Sequence, residues 1–212
     1  MVVLGVGFVY TKGCSCRRTY PLMANIPETR THAQSIDFTE LAQHSQTGVC
    51  GVNGVSLLYL LPNFDIVNGF NPKYMHSVLL GVVRHFVNLW FDSASHSEAY
   101  CLRKNVAQID EIILGIKPPS EIKRLPRSLL QRKHCKASEC RSFLLFCSLV
   151  ALRSFMSSQY YDHWLLLVFA IYHLMEKSVR RCNLLACDVA LNKFVALVPA
   201  LYGAERVLMY TC

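Results

Sequence analysis

The sequence lacks any uninterrupted apolar run of the ~20 residues that a bilayer-spanning helix requires. Its two most apolar stretches, 142–152 and 164–174, predict buried core helices, so we expect no membrane partner. Glycine and proline are scarce, at 10 and 8 among 212 residues, which excludes a collagen-like or linker-like chain. Only 17% of the residues are charged and 52% are hydrophobic, which excludes disorder over most of the chain.

Signatures of several enzyme classes are also missing. The sequence has no Gly-x-Ser-x-Gly motif and no cysteine-protease motif, and its glycines at 48, 51 and 54 do not form a phosphate-binding loop. Acidic residues number 14 and most stand singly, whereas metal-dependent phosphoryl transfer needs convergent carboxylates. Asp65, in the apolar segment NFDIVNGF, could project into a site. We favour a role in capping the turn at Asn68 and Gly69.

The positive charge of the chain is concentrated in one segment. The net charge is +8, and residues 120–136 alone carry six lysines or arginines against one glutamate. Such a run can follow a DNA phosphate backbone, although a solvated basic loop remains the alternative. Without interleaved aromatic residues, base stacking is not indicated. The candidate nucleic-acid-binding residues are Lys123, Arg124, Arg127, Arg132, Lys133 and Lys136.

The ten cysteines do not follow the spacing of a strong zinc site. Such a site shows two ligand pairs, each separated by two to four residues. Cys14 and Cys16 are separated by one residue, and Cys135 and Cys140 by four. We favour free thiols in or near the core, in a reducing compartment. A Zn²⁺ site formed by Cys14, Cys16 and His76 is the open alternative.

The pattern of apolar residues predicts a small β or irregular part at 1–70 and a helical part at 71–212. The opening MVVLGVGFVY favours a strand, and 39–46 can form a short helix. From 72 onward, apolar residues recur at helical spacing, which predicts a mainly α-helical, bundle-like region over about 72–200. The helix at 165–169 has no polar face, so we expect protein to surround it. The predicted helices cover about 72–91, 106–116, 138–156, 159–179 and 184–198.

Several long segments carry a family resemblance. They are GVNGVSLLYLLPNFDIVNGF, YMHSVLLGVVRHFVNLWF, LGIKPPSEIKRLPRSLLQRKHCKASECRSFLLF and YYDHWLLLVFAIYHL. KGCSC and TRTHAQ stand upstream, and FVALVPALYG followed by Met209 stands downstream. Together, and in this order, they resemble the transposase-like proteins of animal CACTA (En/Spm-related) DNA transposons. The resemblance covers nearly the whole chain.

The resemblance implies an RNase H-like core in which acidic residues hold Mg²⁺ for DNA cleavage and strand transfer. It places this chain in a region inserted into that core, where the family's cysteine pair and Met-His motif correspond to Cys14, Cys16, Met75 and His76. The family's acidic residues and Asn-x-His motif are expected outside the chain, which would make it a fragment of a larger transposase. The sequence departs from the family at Lys73, where the family favours aspartate. It also departs at Cys135 and Cys140, where the family has tryptophan.

Two hypotheses of function follow. The first is a transposase-like fragment without catalytic activity of its own, so we assign it no catalytic residue. The second is a domesticated nuclear DNA- or protein-binding module without enzymatic activity. The expected partners are DNA and either the rest of a transposase core or further copies of the chain. Mg²⁺ is implied for the family only, and a nuclear location is expected in both cases.

Overall fold

The computed structural model of the chain describes residues 30–70, 73–117, 120, 122, 124 and 126–203. The chain divides into two compact units, Met1–Pro72 and Lys73–Cys212. The described residues form seven α-helices and no β-strand, which confirms a mainly helical protein. The strand expected at the start of the sequence, together with Cys14 and Cys16, lies outside the described residues.

The described part of the first unit is one helix followed by an irregular segment. Helix α1 covers His32–Ser45, and it begins earlier than the short helix predicted at 39–46. Thr31 and Gln34 explain the difference, because they form a capping box in which each side chain binds the other residue's backbone N–H. The following segment returns to α1, where Tyr59 Oη donates to Ser35 O at 3.1 Å.

Asp65 caps a turn in this irregular segment, as its sequence context favoured. Its carboxylate accepts hydrogen bonds from the backbone N–H groups of Asn68 and Val67, at 2.9 and 2.8 Å. The Asn68 side-chain amide donates a third bond. These bonds, led by that from the Asn68 backbone, lower the pKa of Asp65.

The second unit is a helical body built on apolar periodicity. The α-helices are α2 (Arg84–Phe91), α3 (Val106–Gly115), α4 (Ala137–Ser142), α5 (Ser148–Leu152), α6 (Ser158–Leu174) and α7 (Arg181–Tyr202). A π-helical segment, Met75–Val83, leads into α2. The predicted helix at 138–156 is present as α4, a short π-helical segment and α5, and the predicted helix at 184–198 is longer at both ends, as α7.

Aromatic side chains form the centre of this body. The rings of Trp90 and Trp164 are fully buried and meet edge to face, with their centroids 4.8 Å apart. Phe86 packs against both tryptophans, and Trp164 Nε1 donates to Ser148 Oγ at 2.9 Å. The core therefore joins α2, α5 and α6 through one aromatic cluster, in which the polar indole group of Trp164 is satisfied.

Helices α6 and α7 pack as an antiparallel pair. Near the start of α6, His163 Nε2 lies within hydrogen-bond distance of Phe194 O. Near the end of α6, Ala170 O accepts a hydrogen bond from Cys187 Sγ. Within the described residues, α7 is the one helix whose length and composition would allow it to cross a membrane. The stretch 165–169 is only partly surrounded by protein, since Leu165 and Phe169 remain 40% and 39% exposed.

His163 is a buried polar member of the α6–α7 contact. Its Nε2 lies 2.8 Å from Phe194 O, and its Nδ1 lies 3.4 Å from Tyr202 Oη. The imidazole ring also stacks on the Phe194 ring at 4.3 Å. Burial lowers the pKa of His163, against a smaller opposite effect of the Phe194 carbonyl, so the neutral ring is the form that the fold accommodates.

We expect the free energy of unfolding to fall as the pH drops below about 6.5, where the unfolded chain binds a proton at this position and the folded chain does not. The slope from this one group is at most about 1.4 kcal/mol per pH unit. Urea unfolding between pH 5 and 8 measures it. His163→Gln should remove that part of the slope, whereas His96→Gln, at an exposed position, should not. An unchanged slope in His163→Gln would contradict the assignment.

Candidate nucleic-acid interface

The basic segment at 120–136 is held against the helical body by specific contacts. The structure describes Ser120, Ile122, Arg124 and 126–136 of it; Lys123 lies outside the described residues. A short 3₁₀ helix, Leu129–His134, forms its centre. Ser128 caps this helix by accepting a hydrogen bond from Leu130 N at 3.2 Å. The segment therefore has a defined local structure.

A buried carboxylate on α3 anchors the start of this 3₁₀ helix. Asp110 Oδ2 accepts a hydrogen bond from Ser128 Oγ at 2.5 Å, and Oδ1 accepts one from Leu129 N at 2.7 Å. Leu129 itself is buried in the core. Because charge-assisted hydrogen bonds are among the stronger ones in proteins, Asp110 fixes the position of the segment on α3.

Two arginines attach the segment to α2. Arg132 Nη2 donates to Phe91 O at 3.0 Å and Nη1 donates to Leu129 O at 3.1 Å. Phe91 is the last residue of α2, so Arg132 satisfies a carbonyl that the helix itself leaves unpaired. From α2, the Arg84 guanidinium donates to Cys135 O. The Arg84 and Arg132 side chains therefore stabilise the fold through internal hydrogen bonds.

Arg127 is also used inside the protein. Its guanidinium forms two parallel hydrogen bonds with Glu139 of α4, at 2.8 and 3.0 Å. Glu139 Oε2 additionally accepts from Lys136 N at 2.8 Å, at the start of α4. Burial tends to raise the pKa of Glu139, but the bonds from Arg127 and Lys136 outweigh it and lower that pKa.

Three of the described cations of the segment are exposed to solvent. Arg124, Lys133 and Lys136 are exposed, while Ser142 Oγ holds the backbone at Arg124 O through a 2.8 Å hydrogen bond. Of the six predicted nucleic-acid-binding residues, three are therefore presented at the surface. Arg127 and Arg132 are occupied by internal partners. The scaffold thus separates cations that stabilise the fold from cations that are free to meet a ligand.

The internal partners of this segment could not be predicted from the sequence, because they are distant along the chain. Asp110 lies 18 residues before Ser128, and Phe91 lies 41 residues before Arg132. One local signal was present, since Glu139 stands three residues after Lys136, which is the spacing of a carboxylate that closes a helix start.

The predicted zinc ligands are not brought together by the described structure. His76 is half-buried in the π-helical segment Met75–Val83, and Cys14 and Cys16 lie outside the described residues. Among the residues that the structure describes, no group of three or more histidine, cysteine or acidic side chains is arranged to hold a metal ion. The Zn²⁺ and Mg²⁺ expectations remain predictions.

Comparison of the chain with protein-family models, with curated proteins and with solved structures gave no match in any of the three. The resemblance to transposases therefore depends on the sequence segments quoted above.

We expect Asp110→Asn to lower the free energy of unfolding by roughly 1–3 kcal/mol, because the amide cannot accept both hydrogen bonds from Ser128 and Leu129. Urea unfolding followed by circular dichroism measures the change. The matched control is Glu111→Gln, which removes the same charge at the neighbouring, exposed position of α3. Equal losses in the two variants would show that Asp110 has no special anchoring role.

Proposed function

We propose that the helical unit is a non-enzymatic module of a transposase-like protein and that it binds the phosphate backbone of DNA. The observation that carries this proposal is the basic segment: Arg124, Lys133 and Lys136 are exposed on a backbone that internal contacts hold in place. Side chains fixed on an ordered backbone lose less conformational freedom on binding than those on a free loop.

The chemistry of the exposed side chains favours phosphate over base recognition. Lysine and arginine bind phosphate oxygens directly, and such contacts position a protein on DNA without reading its sequence. The segment contains no phenylalanine, tyrosine or tryptophan on which bases could stack. We therefore propose binding that depends strongly on salt and only weakly on DNA sequence.

The transposase-like motifs support the same assignment of partner. In the family, the cleavage chemistry is implied for acidic residues with Mg²⁺, and the motifs quoted from this chain do not include those residues. We accordingly propose a binding role within a transposase-like or domesticated nuclear protein, and we assign no catalytic step to this chain.

The test is a salt titration of duplex DNA binding with the full chain. The triple variant Arg124→Gln, Lys133→Gln, Lys136→Gln should bind more weakly. Its plot of log K against log salt should be shallower by about 0.9 for each lost phosphate contact. Fluorescence anisotropy on duplexes of unrelated sequence, from 50 to 200 mM salt, provides the measurement.

The matched control removes the same number of positive charges elsewhere on the surface. Lys177→Gln, Arg181→Gln, Lys193→Gln changes three exposed cations, one in the connection between α6 and α7 and two on α7. This variant should keep the slope of the parent chain. If both triple variants lose the same slope, binding follows net charge alone, and the proposed interface is wrong.

Protein binding is a second candidate function, favoured by exposed apolar side chains on the last two helices. Leu165, Phe169 and Tyr172 form one stripe on α6, and Leu185 and Val189, at 63% and 66% exposure, lie one turn apart on α7. Exposed apolar surface of this kind marks contact sites. Asp188 and Lys193 on α7 are exposed charges that a protein interface tolerates better than lipid does.

We expect the full chain to self-associate in detergent-free buffer. The double variant Leu185→Glu, Val189→Lys should shift this equilibrium toward the monomer, and it keeps the net charge of the parent chain. Sedimentation velocity over a concentration series measures the distribution. The exchange Asp188→Lys, Lys193→Asp is a control that alters charges on the same helix and keeps its apolar stripe. If the parent chain is monomeric at all concentrations, self-association is contradicted. If the parent chain remains in solution only when detergent is present, the exposed apolar side chains fit a lipid surface better than a second copy of the chain.

A further inference from the structure

Two thiols line a small cavity beneath the basic segment. Cys135 and Cys140 face a space of about 20 Å³ together with Arg84, Arg127 and Arg132, above an apolar floor that includes Phe143. A volume of this size holds one water-sized molecule. Cys140 is buried and Cys135 is partly exposed, so the pair connects the cavity with the surface. The DNA contact proposed above does not involve this cavity.

The backbone around the two thiols is held in place. Cys135 directly follows the 3₁₀ helix Leu129–His134, and its carbonyl accepts the hydrogen bond from Arg84. Cys140 lies in α4, where its backbone N–H donates to Lys136 O at 3.0 Å. Glu139 binds Lys136 N in turn, so the turn between the two cysteines is fixed, and both cysteines line the same cavity.

The charges around the pair are opposite on its two sides. The Arg84 guanidinium lies beside Cys140, and its buried Nε has no hydrogen-bond partner among the described residues. The Glu139 carboxylate, held by Arg127, lies beside Cys135. This arrangement favours a thiolate at Cys140 and a protonated thiol at Cys135.

The expected ionisation follows this asymmetry. The hydrogen bond from Cys135 and the Arg84 guanidinium lower the pKa of Cys140 and outweigh the opposite effects of burial and of the Glu139 carboxylate. The same hydrogen bond, burial and the nearby carboxylate raise the pKa of Cys135. Cys147 is a useful contrast, because its burial raises its pKa to about 11. Cys147 should be inert at neutral pH.

We propose that Cys135 and Cys140 are a redox-active dithiol that reduces a small hydroperoxide and closes into an intramolecular disulfide. The cavity admits a molecule of the size of hydrogen peroxide more readily than a bulky disulfide such as oxidised glutathione. Thiolate reactivity and a neighbouring resolving thiol are the two features that such chemistry requires.

The reaction balances in two steps. The Cys140 thiolate attacks one oxygen of hydrogen peroxide, the O–O bond breaks, and Cys140 becomes a sulfenic acid while hydroxide leaves. The sulfur of Cys135 then attacks the sulfenic sulfur, the S–O bond breaks, and the leaving hydroxide takes the proton of the Cys135 thiol and departs as water. The first hydroxide is neutralised by the proton that Cys140 had released, so two thiols and one peroxide yield one disulfide and two waters.

Peptide mapping tests the site without any mutation. Trypsin cleavage after Lys133, Lys136 and Arg141 places Cys135 on 134–136 and Cys140 on 137–141. After the reduced full chain is treated with about one equivalent of hydrogen peroxide and alkylated, mass spectrometry should find these two peptides joined by a disulfide. Cys140 should also be alkylated roughly tenfold or more faster than Cys147 at pH 7, since a pKa lower by one unit gives about ten times more thiolate.

Variants separate the two steps. Cys135→Ser should stop the reaction at a Cys140 sulfenic acid, which dimedone traps, whereas Cys140→Ser should abolish peroxide consumption at this site. Cys182→Ser, at an exposed cysteine of α7, is the matched control and should leave the joined peptides unchanged. The proposal is overturned if oxidation spreads over Cys50 and Cys182 without a 135–140 disulfide, or if Cys140 and Cys147 are alkylated at the same rate.

Discussion

The buried contact between Trp90 and Trp164 is the constraint on which the helical unit depends. It joins α2 to α6 through two tryptophans that lie 74 positions apart in the sequence. Burying two indoles removes a large apolar area from water, and the hydrogen bond from Trp164 to Ser148 satisfies one of the two indole N–H groups. Because α2 is fixed in this way, its last carbonyl is available at a defined position to receive Arg132.

The basic segment combines two uses of positive charge. Arg127 and Arg132 are turned inward, where a carboxylate and a helix-terminal carbonyl satisfy them, and Arg124, Lys133 and Lys136 are turned outward. The two inward-facing arginines reduce the positive charge exposed at the surface, but their contacts fix the shape of the segment. The same inward contacts close the cavity that holds Cys135 and Cys140. One short stretch of chain therefore supports two separate proposals, one of phosphate binding and one of thiol chemistry.

Helices were predictable from the sequence where local apolar spacing decides the structure, as in α3 and α6. Helix α1 was placed too late, because its start depends on the reciprocal bonds of Thr31 and Gln34 and not on an apolar pattern. Composition identified the basic segment but not the direction of each cation, since Asp110 and Phe91 are brought to it only by the tertiary fold. Without knowledge of such distant partners, the sequence does not distinguish the inward-facing from the outward-facing cations of this segment.

The π-helical segment Phe143–Cys147, between α4 and α5, determines how a change in chain length would act on this helix. A π turn accommodates one more residue than an α turn, whereas one residue of a regular α-helix corresponds to about 100° of rotation about the helix axis. The extra residue is therefore taken up within the π turn, and α5 keeps the face that it would have after a regular α-helix. Deleting one residue of this turn should leave Ser148 and Leu152 in the core and Val150 exposed. The same deletion within α5 itself would rotate the residues that follow it by about 100° and remove them from the core, so a single-residue deletion should be far better accepted in the π turn than in α5.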